Sequence, residues 1–76
     1  MDEKKHAYLY ERILDFDERC CGITVNRAMQ PDFNGRRTHI DMARWYSWMA
    51  LNHWQADESA RAEECLALAN AELASA

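Results

Sequence analysis

The segment from Thr38 to Trp54, THIDMARWYSWMALNHW, is the strongest constraint on the fold. It contains neither proline nor glycine and holds all three tryptophans of the chain. Thr38 is a favourable N-cap residue, and Asp41 follows three residues later, close to a capping-box pattern. The segment therefore predicts a helix from about residue 39 to about residue 55.

This helix presents apolar side chains in more than one direction at about 100° per residue. The first stripe consists of His39, Met42, Tyr46, Met49 and His53. The second stripe consists of Ile40, Ala43, Ser47, Leu51 and Trp54. Trp45 flanks the first stripe and is expected on the packed side, whereas Trp48 points in a third direction. A helix that is apolar on several faces packs on several sides, so we expect it at the centre of the fold or of an oligomer.

An amphipathic helix is predicted over residues 2–21. Its central stripe consists of Leu9, Ile13, Phe16 and Cys20. The residues expected to widen this stripe are Ala7, Tyr10, Leu14 and Cys21. Gly22 follows as a natural residue to end the helix.

The stretch from residue 23 to residue 37 is irregular by sequence. Thr24 can cap a short helix, predicted over residues 25–30 and stopped by Pro31. Asn34 and Gly35 form a strong turn signal, which predicts a loop reaching Arg37.

The last helix is predicted over residues 59–74 and is rich in alanine, which favours helix formation. Its apolar stripe consists of Ala62, Cys65, Leu66, Ala69 and Leu73. The short link at residues 56–58, with Asp57 and Ser59 as candidate caps, predicts an antiparallel hairpin with the preceding helix. Residues 1–76 are thus expected to form one small all-α domain of three to four helices.

Charge and cysteine content narrow the class of protein. The net charge is −4, yet the middle of the chain is basic, with Arg36, Arg37 and Arg44 against Asp41 alone over residues 36–56. Three cysteines, two of them adjacent, do not suit a disulfide framework and predict a reducing, cytoplasmic setting. No run of about 18 apolar residues is present, so no membrane span is expected.

No motif in the sequence predicts catalysis or a cofactor. The spacing of Cys20, Cys21 and Cys65 does not match that of zinc ligands, and a core role is expected for these thiols. His53 shares a stripe with Tyr46, but no nucleophile or glycine-rich loop accompanies it. We therefore expect a protein that is not an enzyme and holds neither cofactor nor metal.

Eight aromatic residues are many for 76 residues, and Trp, Tyr, Met and Arg are enriched at interface hot spots. This excess predicts a protein-binding module that acts by stoichiometric docking, as a regulator, adaptor or inhibitor. The expected partner surface consists of Phe33, Arg36, Arg37, Arg44 and Trp48. The stripe from His39 to His53 is expected to form a homodimer.

A helix-turn-helix-like DNA-binding regulator is the alternative prediction. Residues 13–29 would supply the motif, with a turn at residues 22–24. Asn26, Arg27, Arg36 and Arg37 would contact phosphates. The short second helix and the acidic net charge argue against it.

Overall fold

A computed structural model of the chain describes residues 3–27 and 33–76, with side chains for residues 3–25 and 37–76. The described residues form three helices and no strand: α1 (Glu3–Arg27), α2 (Phe33–Gln55) and α3 (Ser59–Ala74). The predicted all-α class is confirmed. None of these three helices is long and apolar enough to cross a membrane.

α1 continues through the glycine that was expected to end it. Gly22 lies inside the helix, and a Cβ atom placed on it would meet nothing within 4 Å. A glycine in a helix interior costs only about 1 kcal/mol relative to alanine. Ile23, just beyond it, packs against the core and favours the longer helix. The separate short helix predicted over residues 25–30 is therefore wrong for residues 25–27, and residues 28–30 lie outside the described residues.

α2 begins at Phe33, earlier than predicted. The turn expected at Asn34 and Gly35 and the cap expected at Thr38 are both wrong, since all three residues lie inside α2. Arg37 and Asp41 form an ion pair of 3.9 Å across the predicted helix start. Turn and cap preferences of single residues are weak, and a helix with tertiary support overrides them.

The link between α2 and α3 is a Schellman motif centred on Asp57. This residue has a left-handed φ of 63°, a conformation in which glycine is usual. Its backbone N–H donates to the carbonyl oxygen of Trp54 at 3.0 Å. The N–H of Glu58 donates to the carbonyl oxygen of His53 at 2.8 Å. Glu58 is the N-cap residue of α3, and its side chain makes no capping hydrogen bond. The predictions of Asp57 and Ser59 as cap residues are therefore wrong.

α2 and α3 run antiparallel with small residues between them. His39, near the beginning of α2, has its Nδ1 atom 2.8 Å from Oε2 of Glu72, near the end of α3. Four alanines of these two helices have no exposed surface, and the register set by His39 and Glu72 brings them level in pairs: Ala43 with Ala69, and Ala50 with Ala62. Because each side chain is one carbon, the two helices can approach closely.

α1 runs antiparallel to α2 and so parallel to α3. Trp54, near the end of α2, donates its Nε1–H to the carbonyl oxygen of His6, near the beginning of α1. Further along, the Ser47 hydroxyl donates to Oδ1 of Asp17 at 2.6 Å. The three helices form an elongated bundle of 45 × 16 × 15 Å.

α1 supplies two of the four largest fully buried side chains, and α2 and α3 supply one each, Ile40 and Leu66. Ile13 and Phe16 have no exposed surface and rank among the largest fully buried side chains. The central stripe predicted for α1 is buried as expected. Of the residues predicted to widen it, Tyr10 is half-buried, whereas Ala7, Leu14 and Cys21 are exposed. α2 turns its second predicted stripe inward, and all five residues of the stripe predicted for α3 are buried or half-buried.

The alanine contact yields a stability prediction. Replacing Ala69 by leucine inserts three carbons where α2 and α3 meet, and overpacking of this kind costs about 1–3 kcal/mol. Ala67→Leu, on the exposed side of the same helix, is the matched control and should change the free energy of unfolding by less than about 0.5 kcal/mol. Urea unfolding measures both, and equal effects would contradict the packing described above.

Candidate protein-binding surface

Two tryptophans of α2 lie on the outside of the bundle. Trp45 is 50% exposed and Trp48 is 59% exposed. They are three residues apart, so they are neighbours on the helix surface. The Trp45 ring meets Tyr46 edge to face, with centroids 5.3 Å apart. The prediction that Trp45 lies on the packed side is wrong, because α2 turns Ala43 and its neighbours inward and residue 45 falls on the opposite side.

A groove runs between the last turns of α1 and the middle of α2, and Trp48 lines it. The groove has a volume of about 370 Å³. Val25 from α1 and Leu51 from α2 also line it, and Val25 is 68% exposed. An exposed β-branched residue and an exposed indole beside one cavity form an apolar surface that the described residues leave uncovered.

The arginine that lines this groove has no hydrogen-bond or ion-pair partner among the residues that the structure describes. Arg44 lines the groove, is exposed, and makes no hydrogen bond or ion pair with the described residues. The groove also contains Asp17, but that carboxylate already accepts the Ser47 hydroxyl hydrogen bond. Within the part of the chain that the structure describes, the Arg44 guanidinium is therefore not engaged in a hydrogen bond or an ion pair.

The remaining residues of the predicted partner surface can be placed only in part. Arg37 is exposed and belongs to the same side of α2 as Arg44 and Trp48, since these residues follow at i, i+7 and i+11. Phe33 and Arg36 belong to α2, but their side chains lie outside the described residues.

The stripe predicted for self-association lies beside α3. All five of its residues are half-buried. His39 contacts Glu72, and Nδ1 of His53 lies 3.4 Å from Oε1 of Glu58. Tyr46 packs against the core. Part of this stripe is thus already used by contacts within the chain.

The three cysteines occupy different environments. Cys20 is buried, and burial raises the pKa of its thiol. Burial also raises the pKa of the half-buried Cys65 thiol. Cys21 is exposed at the groove, so the core role predicted for it is wrong. Among residues 3–27 and 33–76, no three His, Cys, Asp or Glu side chains lie together as a metal site would require.

The turn of the predicted helix-turn-helix motif is also wrong. Residues 22–24 lie within α1, so the two helices that this motif needs are one continuous helix here. Asn26 and Arg27 belong to the last turn of α1, and their side chains lie outside the described residues.

Sequence reasoning missed Val25 as a groove residue because it placed the end of α1 at Gly22. A helix continued past the glycine puts Val25 four residues after Cys21 and on the same face. An apolar residue four positions after Cys21 was the feature of the sequence that could have identified Val25 as a groove residue.

The chain matches no protein-family model, no curated protein and no solved structure.

The cysteine environments predict a large difference in alkylation rate. At neutral pH, iodoacetamide should modify Cys21 more than about tenfold faster than Cys20 or Cys65, because burial blocks access and a raised pKa lowers the thiolate fraction. Modification of Cys20 should increase as the pH rises towards its raised pKa. Peptide mass spectrometry measures each site, and urea-unfolded protein, in which the three rates should converge, is the control. Equal rates in the folded protein would contradict the described burial.

Proposed function

We propose that this chain is a non-enzymatic protein-binding module that docks a partner protein stoichiometrically, as a regulator, adaptor or inhibitor. The docking surface is the side of α2 that carries Arg37, Arg44 and Trp48, together with the groove beside it. The observation that supports this most is Trp48, which is 59% exposed and lines a groove next to an arginine with no ion-pair partner in the described residues.

Covering Trp48 would contribute a substantial part of a binding free energy. A tryptophan side chain carries roughly 200 Å² of surface, so burying its exposed part removes on the order of 100 Å² from water. At about 25 cal/mol per Å², this stabilises a complex by roughly 2–3 kcal/mol. That magnitude is typical of an interface hot spot.

The groove also indicates the chemistry of the partner. Its apolar lining by Val25, Trp48 and Leu51 suits an apolar side chain that reaches into it. Arg44 suits a carboxylate of the partner, since a guanidinium can form two parallel hydrogen bonds with a carboxylate. Asp17, on the α1 side of the groove, repels a second carboxylate and so favours one orientation. We propose a partner segment that presents an apolar residue with an acidic residue beside it.

Homodimer formation through the stripe from His39 to His53 remains part of the proposal. Because both histidines of this stripe contact carboxylates within the chain, its methionines are the most suitable residues to contact a second copy. Met42 lies three residues before the exposed Trp45 and Met49 lies four residues after it, so both are its neighbours on the helix surface. Thioethers pack well against aromatic rings.

Substitutions at the groove should separate binding from folding. Trp48→Ala should weaken partner binding by about tenfold or more, since about 1.4 kcal/mol corresponds to a factor of ten. The free energy of unfolding should fall by less than about 1 kcal/mol, because the ring is mostly exposed. Arg44→Glu should weaken binding through repulsion of the partner's carboxylate. Leu68→Ala, at an apolar residue of α3 that is 48% exposed, is the control and should bind normally.

The measurement is quantitative affinity purification from a lysate of the source cells, followed by calorimetry with the recovered protein and urea unfolding of each variant. A partner that binds Trp48→Ala and Arg44→Glu as tightly as wild type would refute the proposal. So would recovery of no protein by wild type. Retention of random duplex DNA that weakens steeply with salt would instead support the DNA-binding alternative.

A further inference from the structure

A second cavity lies at the other end of the bundle, between the first turns of α1 and the end of α2. Its volume is about 380 Å³. Three aromatic rings line it: His6, Tyr10 and Trp54. Three carboxyl groups also line it: Glu3, Glu11 and Asp57. Ala7 is the one remaining lining residue, and its small side chain leaves space between the rings and the carboxyl groups.

The rings are held in fixed positions. Trp54 stacks with His6 at a centroid distance of 4.4 Å and an interplanar angle of 15°. It also stacks with Tyr10 at 4.6 Å and 28°. The indole Nε1–H donates to the carbonyl oxygen of His6 at 2.8 Å, which sets the orientation of the Trp54 ring. An aromatic wall that is already ordered costs little conformational entropy when a ligand binds.

The charged side chains that line the cavity are acidic. Among the described residues, no lysine or arginine lines it. Glu3 and Glu11 form no ion pair with the described residues, and Oδ1 of Asp57 lies 3.8 Å from Nδ1 of His6. The carboxyl end of α2 adds the negative end of a helix dipole. The positive end of the α1 dipole is offset by Glu3 in its first turn.

We infer that this cavity binds an alkylated ammonium cation, such as a trimethylammonium group. Aromatic faces attract cations, and a bulky alkylated ammonium is a well-known ligand of aromatic sites with acidic neighbours. A divalent metal ion fits less well, because no three ligating side chains converge closely enough among the described residues. An anion would meet three carboxyl groups, and a neutral apolar ligand would leave them without a counter-charge.

The test is a titration of the full, ¹⁵N-labelled chain, followed by NMR through the indole N–H signal of Trp54. Choline is the cationic probe, and dimethylbutanol, its neutral carbon isostere, is the matched control. Choline should shift the signal saturably, with an affinity at least about tenfold higher than that of the isostere. Equal affinities for the two probes, or no shift with choline at tens of millimolar, would overturn the inference.

Charge-removing variants test the carboxyl groups. Asp57→Asn should lower choline affinity several-fold while keeping the left-handed backbone, since asparagine tolerates it. Glu11→Gln should do the same, and circular dichroism checks that both variants fold. Glu64→Gln, which removes one exposed charge from α3 outside the cavity, is the control. An equal loss of choline affinity with Glu64→Gln would show that the effect arises from net charge alone, and it would overturn the proposed site.

A peptide that carries trimethyllysine supplies the same cation on a protein side chain. Tighter binding of this peptide than of choline would identify a protein as the source of the cation. Tighter binding of choline would identify a small molecule. Failure of both probes would overturn the inference without affecting the groove at Trp48, which lies at the other end of the bundle.

Discussion

The close contact between α2 and α3 through alanine determines how the rest of the chain is arranged. Ala43 and Ala50 on α2 and Ala62 and Ala69 on α3 have no exposed surface, and the antiparallel register set by His39 and Glu72 places Ala43 near the level of Ala69 and Ala50 near that of Ala62. Such small residues fill little volume, so the large core residues lie elsewhere: Ile13 and Phe16 on α1, Ile40 on α2 and Leu66 on α3. Trp45 and Trp48 lie on the sides of α2 away from these buried positions. The exposed tryptophans are thus a consequence of how this core is packed.

The three tryptophans of α2 consequently have three different environments. Trp54 is half-buried at the end of the bundle and stacks with rings of α1. Trp45 lies on the outer side, next to Tyr46. Trp48 lies beside the groove, which Arg44 also lines. Exposing two indoles in so small a protein leaves apolar surface in water, and a binding partner is the simplest means of covering it.

The sequence predicted which segments are helical better than it predicted where the helices begin and end. The predicted bounds of α3 and the predicted end of α2 agree with the structure. The errors fall at Gly22 and at Asn34–Gly35, where a local signal worth about 1 kcal/mol competes with a helix supported by packing. Local signals of this size cannot be weighed correctly before the neighbouring helices are known.

The site was harder to predict than the fold, for a related reason. Periodicity shows that α2 has two apolar stripes, but it does not show which stripe faces inward. The sizes of the facing residues on α3 decide this, and they turned Trp45 outward. Trp48 and Arg44 could be singled out by residue type and spacing. The groove beside them requires α1 to extend to Val25 and to lie against α2, which is a tertiary contact that no local pattern reports.

The exposure of the three tryptophan rings can be measured by fluorine NMR in a protein that keeps all three tryptophans. Protein grown with 5-fluorotryptophan has one fluorine signal for each tryptophan, and a soluble gadolinium chelate broadens the signals of exposed rings. Single Trp→Phe substitutions assign the signals, and dilution to the monomer removes any effect of self-association. Strong broadening of Trp45 and Trp48 with a protected Trp54 is the expected result. Three equally protected signals in the monomer would contradict both the packing of α2 and the docking surface built on it.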